Sequence, residues 1–230
     1  MLVLATFGLL IAWKKSDVVE MQKLLTISDV GEGNIPDHYI GKKDAKVIAI
    51  EYGDFACVHC AQWAPTFKKI ATDYQDRILF IYRHFSLGYP NSASTQSAAE
   101  AAYLLGGEEA YWKMHHLLFR DDLTWTGQAV SKEKQDDILG GFATEIGLDV
   151  DEFLKIVDET VKIIEDHKNN NISDKIDRDK KLGREVKVSG TPVWLVDGKK
   201  VEISKKIEIT DSNIRKAIDE ALAATDEKTN

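Results

Sequence analysis

The sequence predicts an α/β fold: a mixed central sheet with flanking helices, interrupted by an inserted helical domain. Three observations predict it. Residues 47–70 read as an apolar strand, a short turn and a helix. A second apolar strand, Arg77-Ile-Leu-Phe-Ile-Tyr-Arg83, follows one helix later, which is the spacing of a right-handed βαβ unit. Residues 92–183 then turn helical in pattern, and β character returns in the Glu185–Glu202 region, after which the chain closes on a last helix.

The chain opens on an apolar run, Leu2–Trp13, followed by Lys14-Lys15. The run falls short of the roughly 20 residues of a spanning helix. It suits a signal-peptide core, or the end of an anchor whose beginning lies outside this chain. No basic stretch precedes it, no A-x-A site follows, and the lysine pair is awkward for an exported body, since positive charge prefers the cytoplasmic side. The alternative is a buried first element of the domain. The expectation is a hydrophobic anchor or signal remnant at 1–15 that tethers an extracytoplasmic body to the membrane.

Residues 16–45 read as a tether, with the linker proper at 16–38, because Asp29, Gly31, Gly33, Asn34 and Pro36 break any period. Leu24–Ile27 is a candidate short edge strand. The first core strand begins at Val47, turns at Gly53-Asp54 and meets Cys57-Val-His-Cys60. Cys57, Cys60, Ala61, Ala64, Phe67 and Ile70 then share one helical face. Within 92–183, helices are expected over Ser92–Leu105, Glu108–Arg120, Ser131–Ile146 and Asp149–Glu165, the last with Asp149 and Glu152 in capping-box spacing. Glu185–Val188 reads as a short strand, Thr191–Val196 as an apolar one, and Asp197-Gly198 as a type I′ turn into Lys199–Glu202. Asp211 or Ser212 is the expected cap of the last helix, and the tail from Thr225 is expected to fray.

With 230 residues, 43% hydrophobic, the chain suits one globular domain with an insertion. A formal charge of −8 with no clustered basic stretch argues against nucleic acid as a partner. Only two cysteines are present, both in the C-x-x-C, so no structural disulfide framework exists. Structural zinc wants four Cys or His ligands; no second close-spaced ligand pair is present, and the adjacent His115 and His116 should diverge on a helix. No metal and no cofactor are expected, since a dithiol pair is itself a redox centre. A cysteine in the first turn of a helix faces free N–H groups and a partial positive charge, so it ionises more readily, and the thiolate is the form that attacks a disulfide.

Four features together carry a resemblance over about residues 39–225. These are Cys57-Val-His-Cys60 after an apolar strand, Gly190-Thr191-Pro192 before a hairpin, Glu51 six residues before Cys57, and Pro65 eight after it. The chain resembles the DsbA-like thiol–disulfide oxidoreductases. The resemblance implies a thioredoxin fold over 39–91 and 184–225 with a helical insertion at 92–183. It also implies an oxidase acting on the thiols of client proteins and reoxidised by a membrane quinone-linked partner. One departure is Val58, where the commonest family dipeptide has proline; that dipeptide tunes the redox potential.

Cys57 is then the expected nucleophile, with a free side chain at the helix start, and Cys60 the resolving thiol. A thiol pKa lowered by about 3 favours the reduced form by about 4 kcal/mol at high pH, or roughly 90 mV towards oxidising behaviour. His59 is expected to add charge stabilisation to Cys57; its alternative is an exposed side chain without a role. Glu51 is a candidate proton relay to Cys60 through water; its alternative is a carboxylate pointing to solvent. Thr191-Pro192, with a cis bond, is the expected substrate clamp, offering backbone groups to an extended peptide; its alternative is a trans proline opening a strand. Trp63, Tyr89, Trp112, Trp125 and His115-His116 are taken as core or surface packing with no site role; their alternative is the lining of a peptide groove. A reductase or isomerase on the same fold, a peptide-binding module and a metal-binding protein are the rival functions.

Overall fold

The computed structural model describes residues 35–120 and 128–227. Five strands form one sheet in the order β1-β3-β2-β4-β5: β1 His38–Gly41, β2 Val47–Gly53, β3 Ile78–His84, β4 Val193–Val196 and β5 Lys199–Val201. β2 and β3 run parallel, joined by α1 (Val58–Tyr74); the other pairs are antiparallel. Helices α2 (Ser92–Arg120), α3 (Lys132–Ile146), α4 (Val150–Glu165) and α5 (Asn171–Glu185) lie between β3 and β4 in the chain, and α6 (Ile207–Glu227) ends it.

The pleat divides the strands between two layers. Val47, Ala49, Phe80, Trp194 and Val196 pack under α1 and α6, against Phe67, Ile70, Ile214 and Ile218. Ile50, Tyr52, Ile81 and Leu195 face the other way, with Phe85 and Val188. A third cluster fills the helical block through Tyr111, Leu118, Phe142 and Phe153, and it reaches Phe55, Cys57, Cys60 and Tyr82. The cysteine pair therefore sits where the helical block meets the sheet layer.

Several elements depart from the sequence reading. The leading segment read as a tether supplies edge strand β1, whose one buried side chain is held by distant polar partners: His38 binds Glu100 at 3.0 Å and Glu108 at 3.1 Å. Glu185–Val188 is not a strand; Glu185 ends α5, Lys187 takes φ 61°, and the Val188 N–H returns to the Gly183 carbonyl at 2.8 Å. The last helix starts at Ile207, four residues before Asp211, because the Thr210 hydroxyl closes its entry by bonding the Ser204 N–H at 2.8 Å; Asp211 instead holds Arg215 within the helix. The two expected helices over 92–120 are one element with a kink at Gly107, whose φ of 70° suits glycine. α5 has no counterpart in the sequence reading. The expected N-terminal anchor, the 24–27 edge strand and Trp125 lie outside the described residues. Among the described residues no helix is long and apolar enough to cross a membrane.

Candidate active site

Cys57 is the N-cap of α1, with extended backbone (φ −89°, ψ 117°), and its own N–H is held by the Asp54 carbonyl at 3.0 Å. The side chain of an N-cap residue faces the N–H groups two and three positions on, here those of His59 and Cys60. The neutral thiol makes no capping bond, but the anion is stabilised by the Cys60 thiol first, then by Thr191 and by those two N–H groups. Against the opposing effect of burial, these bring the Cys57 pKa down to about 6. Cys60, one turn further in, is pushed well above its ordinary value by burial and then by its neighbour Cys57. One sulfur is thus an anion near neutrality and the other a neutral thiol, the division of labour that a nucleophile and a resolving thiol need.

The Thr191–Pro192 peptide bond is cis, and the Cys57 Sγ lies 3.5 Å from the Thr191 carbonyl oxygen, towards which its thiol points. The free Cys57 side chain expected from the sequence is not what the structure shows: Cys57 is only 1% exposed, packed in the cluster that joins the helical block to Phe55 and Cys60, with the Thr191 carbonyl against its sulfur. The exposed apolar rim lies beside it, with Val58 at 52%, and Leu87 and Tyr89 on the β3–α2 loop. Asp54, read from the sequence only as a turn residue, pins that loop to the helix start. Its carboxylate accepts from the Ala56 N–H, the Leu87 N–H and the Ser92 hydroxyl at 3.0, 3.0 and 2.7 Å. The group of His59 that bears on Cys57 is its backbone N–H; its side chain is exposed.

Glu51 is 3% exposed, on the layer of β2 that faces α1, between Tyr82 and Trp194 on the neighbouring strands. Burial pushes its carboxyl up to about 8. It lines a cavity together with Lys68, His115 and His116, so the histidine pair that should diverge meets at one wall. The cavity lies at the junction of α1 and α2, and the two rings are 5.5 Å apart, centre to centre. A carboxyl whose pKa rises on folding weakens the fold once the unfolded chain ionises it. That penalty is absent below about pH 4.5, grows with pH and is complete above about pH 8. Glu51→Gln is therefore expected to stabilise the protein increasingly across that window, on the order of 2–3 kcal/mol at pH 7. Denaturation midpoints measured against pH read this out; a pH-independent difference would contradict it.

Among the described residues no three His, Cys, Asp or Glu side chains are placed to hold a metal ion.

A sequence model of a family described as thioredoxin matches residues 33–220. Curated relatives include the Na(+)/H(+) antiporter NhaA 1 of Salinispora arenicola, 32% identical over 184 residues, 79% of this chain and 24% of that protein. Another is the Na(+)/H(+) antiporter NhaA 1 of Mycolicibacterium gilvum, 29% identical over 71% of this chain and 24% of that protein. The chain thus spans about a quarter of the length of the curated relatives it matches. Among solved structures, the thiol-disulfide exchange protein alpha-DsbA2 of Wolbachia pipientis superposes with a TM-score of 0.63 at 22% identity, covering 89% of this chain and 94% of that one. Oxidised BdbD of Bacillus subtilis superposes with a TM-score of 0.64 at 19% identity, covering 86% and 97%.

Proposed function

The chain belongs to the thioredoxin family, and from that premise we propose that it is a DsbA-type thiol–disulfide oxidoreductase working as an oxidase of exported proteins. The observation that carries the reading is the asymmetric pair under the proline loop: Cys57 depressed to about 6, Cys60 raised, and the Cys57 Sγ 3.5 Å from the Thr191 carbonyl.

In the oxidised protein a client thiolate attacks the Cys57 sulfur. The Cys57–Cys60 bond breaks, a client–Cys57 bond forms, and Cys60 leaves with the electron pair and takes up a proton. Glu51, protonated at neutral pH, is the donor through water. A second client thiolate then attacks the client sulfur of the mixed disulfide, and Cys57 leaves as a thiolate. The client loses two electrons and the pair gains them. The low Cys57 pKa makes it a good leaving group and favours the reduced form, which is oxidising behaviour.

Thr191 and Pro192 serve as the clamp. The Thr191 loop must give way to an extended client segment, whose backbone takes the place of the thiol at the Thr191 carbonyl. Val58, Leu87 and Tyr89 offer an apolar landing for it. Reoxidation by a membrane quinone-linked partner rests on the DsbA resemblance. The extracytoplasmic setting and the membrane tether rest on the Leu2–Trp13 run, and on the match to one part of proteins named as ion antiporters. The reading is tested by refolding reduced hirudin with catalytic amounts of the protein: disulfide formation above the buffer rate is expected, and none above it would sink the proposal.

A further inference from the structure

The cavity at Glu51 holds more polar chemistry than sulfur exchange requires. It measures about 10 Å³, room for about one water, and its wall includes Glu51, Lys68, His115 and His116 together with Trp112 and Phe119. His115 is 7% exposed among Phe55, Tyr82 and Phe119, yet neither ring nitrogen has a hydrogen-bond partner. The Tyr82 hydroxyl, which lies over Gly53, and the Trp194 indole N–H also lack partners, but neither residue lines the cavity. Buried polar atoms are rarely left this way, and two unpartnered ring nitrogens on the wall of a cavity shared with an acid mark a site for water. His116 is half-buried and Lys68 exposed, so the far wall of the cavity reaches the surface.

We infer that His115 and His116 form the proton path between Glu51 and solvent. The inference rests on the oxidoreductase reading. Each turnover moves a proton onto Cys60, or off it in reverse, and Glu51 must then exchange that proton with bulk water from a buried position. A neutral imidazole with both nitrogens free takes a proton on one and releases it from the other. His115 is held neutral by burial first, then by the neighbouring His116, His84, His38 and Lys68; His116 is lowered to about 4 by burial and then by Lys68. Glu51 shares its cavity with Lys68 from α1 and the two histidines from α2, and Glu51 and Cys60 both act electrostatically on Tyr82 of β3. Both histidines are positioning residues that act through Glu51.

The test follows one step. Reduced protein is mixed with oxidised glutathione, and acid quenching with mass spectrometry follows resolution of the Cys57–glutathione disulfide by Cys60 from pH 5 to 9. His115→Phe and His116→Ala are expected to slow resolution at least about tenfold near neutrality, less than the roughly 10²–10⁴-fold of a direct acid–base group. The Cys57 titration, read by thiolate absorbance, should not move. His115→Phe should leave stability unchanged or higher, since it replaces unsatisfied polar atoms with an apolar ring of similar shape. Added imidazole should restore His116→Ala, and His115→Phe should add nothing in a Glu51→Gln background. Unaltered resolution rates in both variants overturn the path, as does a loss that imidazole does not repair and that adds fully to Glu51→Gln. If the natural protein forms no mixed disulfide at all, the oxidoreductase reading fails instead.

Discussion

A Cys57→Ser protein is expected to form no mixed disulfide and to show no catalysed oxidation or reduction of client disulfides. The drop should be roughly 10³-fold or more, as when other enzymes lose their nucleophile. The fold should survive, because the Cys57 backbone supplies the N-cap geometry and its neutral side chain makes no capping bond. Cys60→Ser should behave differently. Its Cys57 remains at the helix start, so it still attacks, but nothing resolves the adduct, and a client or glutathione should stay covalently attached to Cys57. Stopped assays and intact mass separate the two variants. Equal activity of Cys57→Ser and the natural protein would remove the mechanism.

The second large effect concerns stability. Arg83 lies fully buried and bonds Asp37 through Nε at 3.2 Å and Nη2 at 2.7 Å, with Nη1 on the Tyr52 hydroxyl at 3.0 Å. Lys175, also fully buried, reaches Asp37 at 3.7 Å and pairs with Asp179, whose carboxylate accepts the His84 N–H at 3.0 Å. The network joins the segment before β1 to β2, β3 and α5. Removing one member of a buried pair leaves an uncompensated charge, so Arg83→Ala is expected to cost about 3–5 kcal/mol. Denaturant unfolding should show it as a large fall in midpoint. A loss under about 1 kcal/mol, the worth of an exposed pair, would contradict the network's burial.

That same network explains what could and could not be read from the residues in order. The redox centre is local: a strand, a turn and two cysteines within one helical turn appear as contiguous chemistry, and Gly190-Thr191-Pro192 is a conspicuous tripeptide. α5 has little apolar periodicity because its buried face carries Ser173, Lys175 and Asp179 beside Ile172 and Ile176. β1 was hidden for a related reason, since buried Asp37 and His38 look like tether residues until Arg83 and Glu100 arrive from β3 and α2. The contact of the Cys57 sulfur is with a carbonyl 134 residues away, and the cavity that His115 shares with Glu51 depends on how α2 packs on α1. Neither has a local signal. Val58 in the dipeptide does not fix the strength of oxidation; the depressed Cys57 pKa is what supports the oxidising direction proposed above.

In the proposed oxidase, Cys57 is held as an anion while Cys60 is kept neutral, which favours the reduced pair. Equilibrating the protein in glutathione redox buffers and counting Cys57–Cys60 disulfide by alkylation and mass measures this directly. The expected potential lies on the oxidising side of the glutathione-poised range, closer to about −120 mV than to the about −270 mV of a reducing thioredoxin. A pair that stays oxidised down to the latter value would mean that Cys57 is not the stabilised thiolate described, and the assignment as an oxidase would fail.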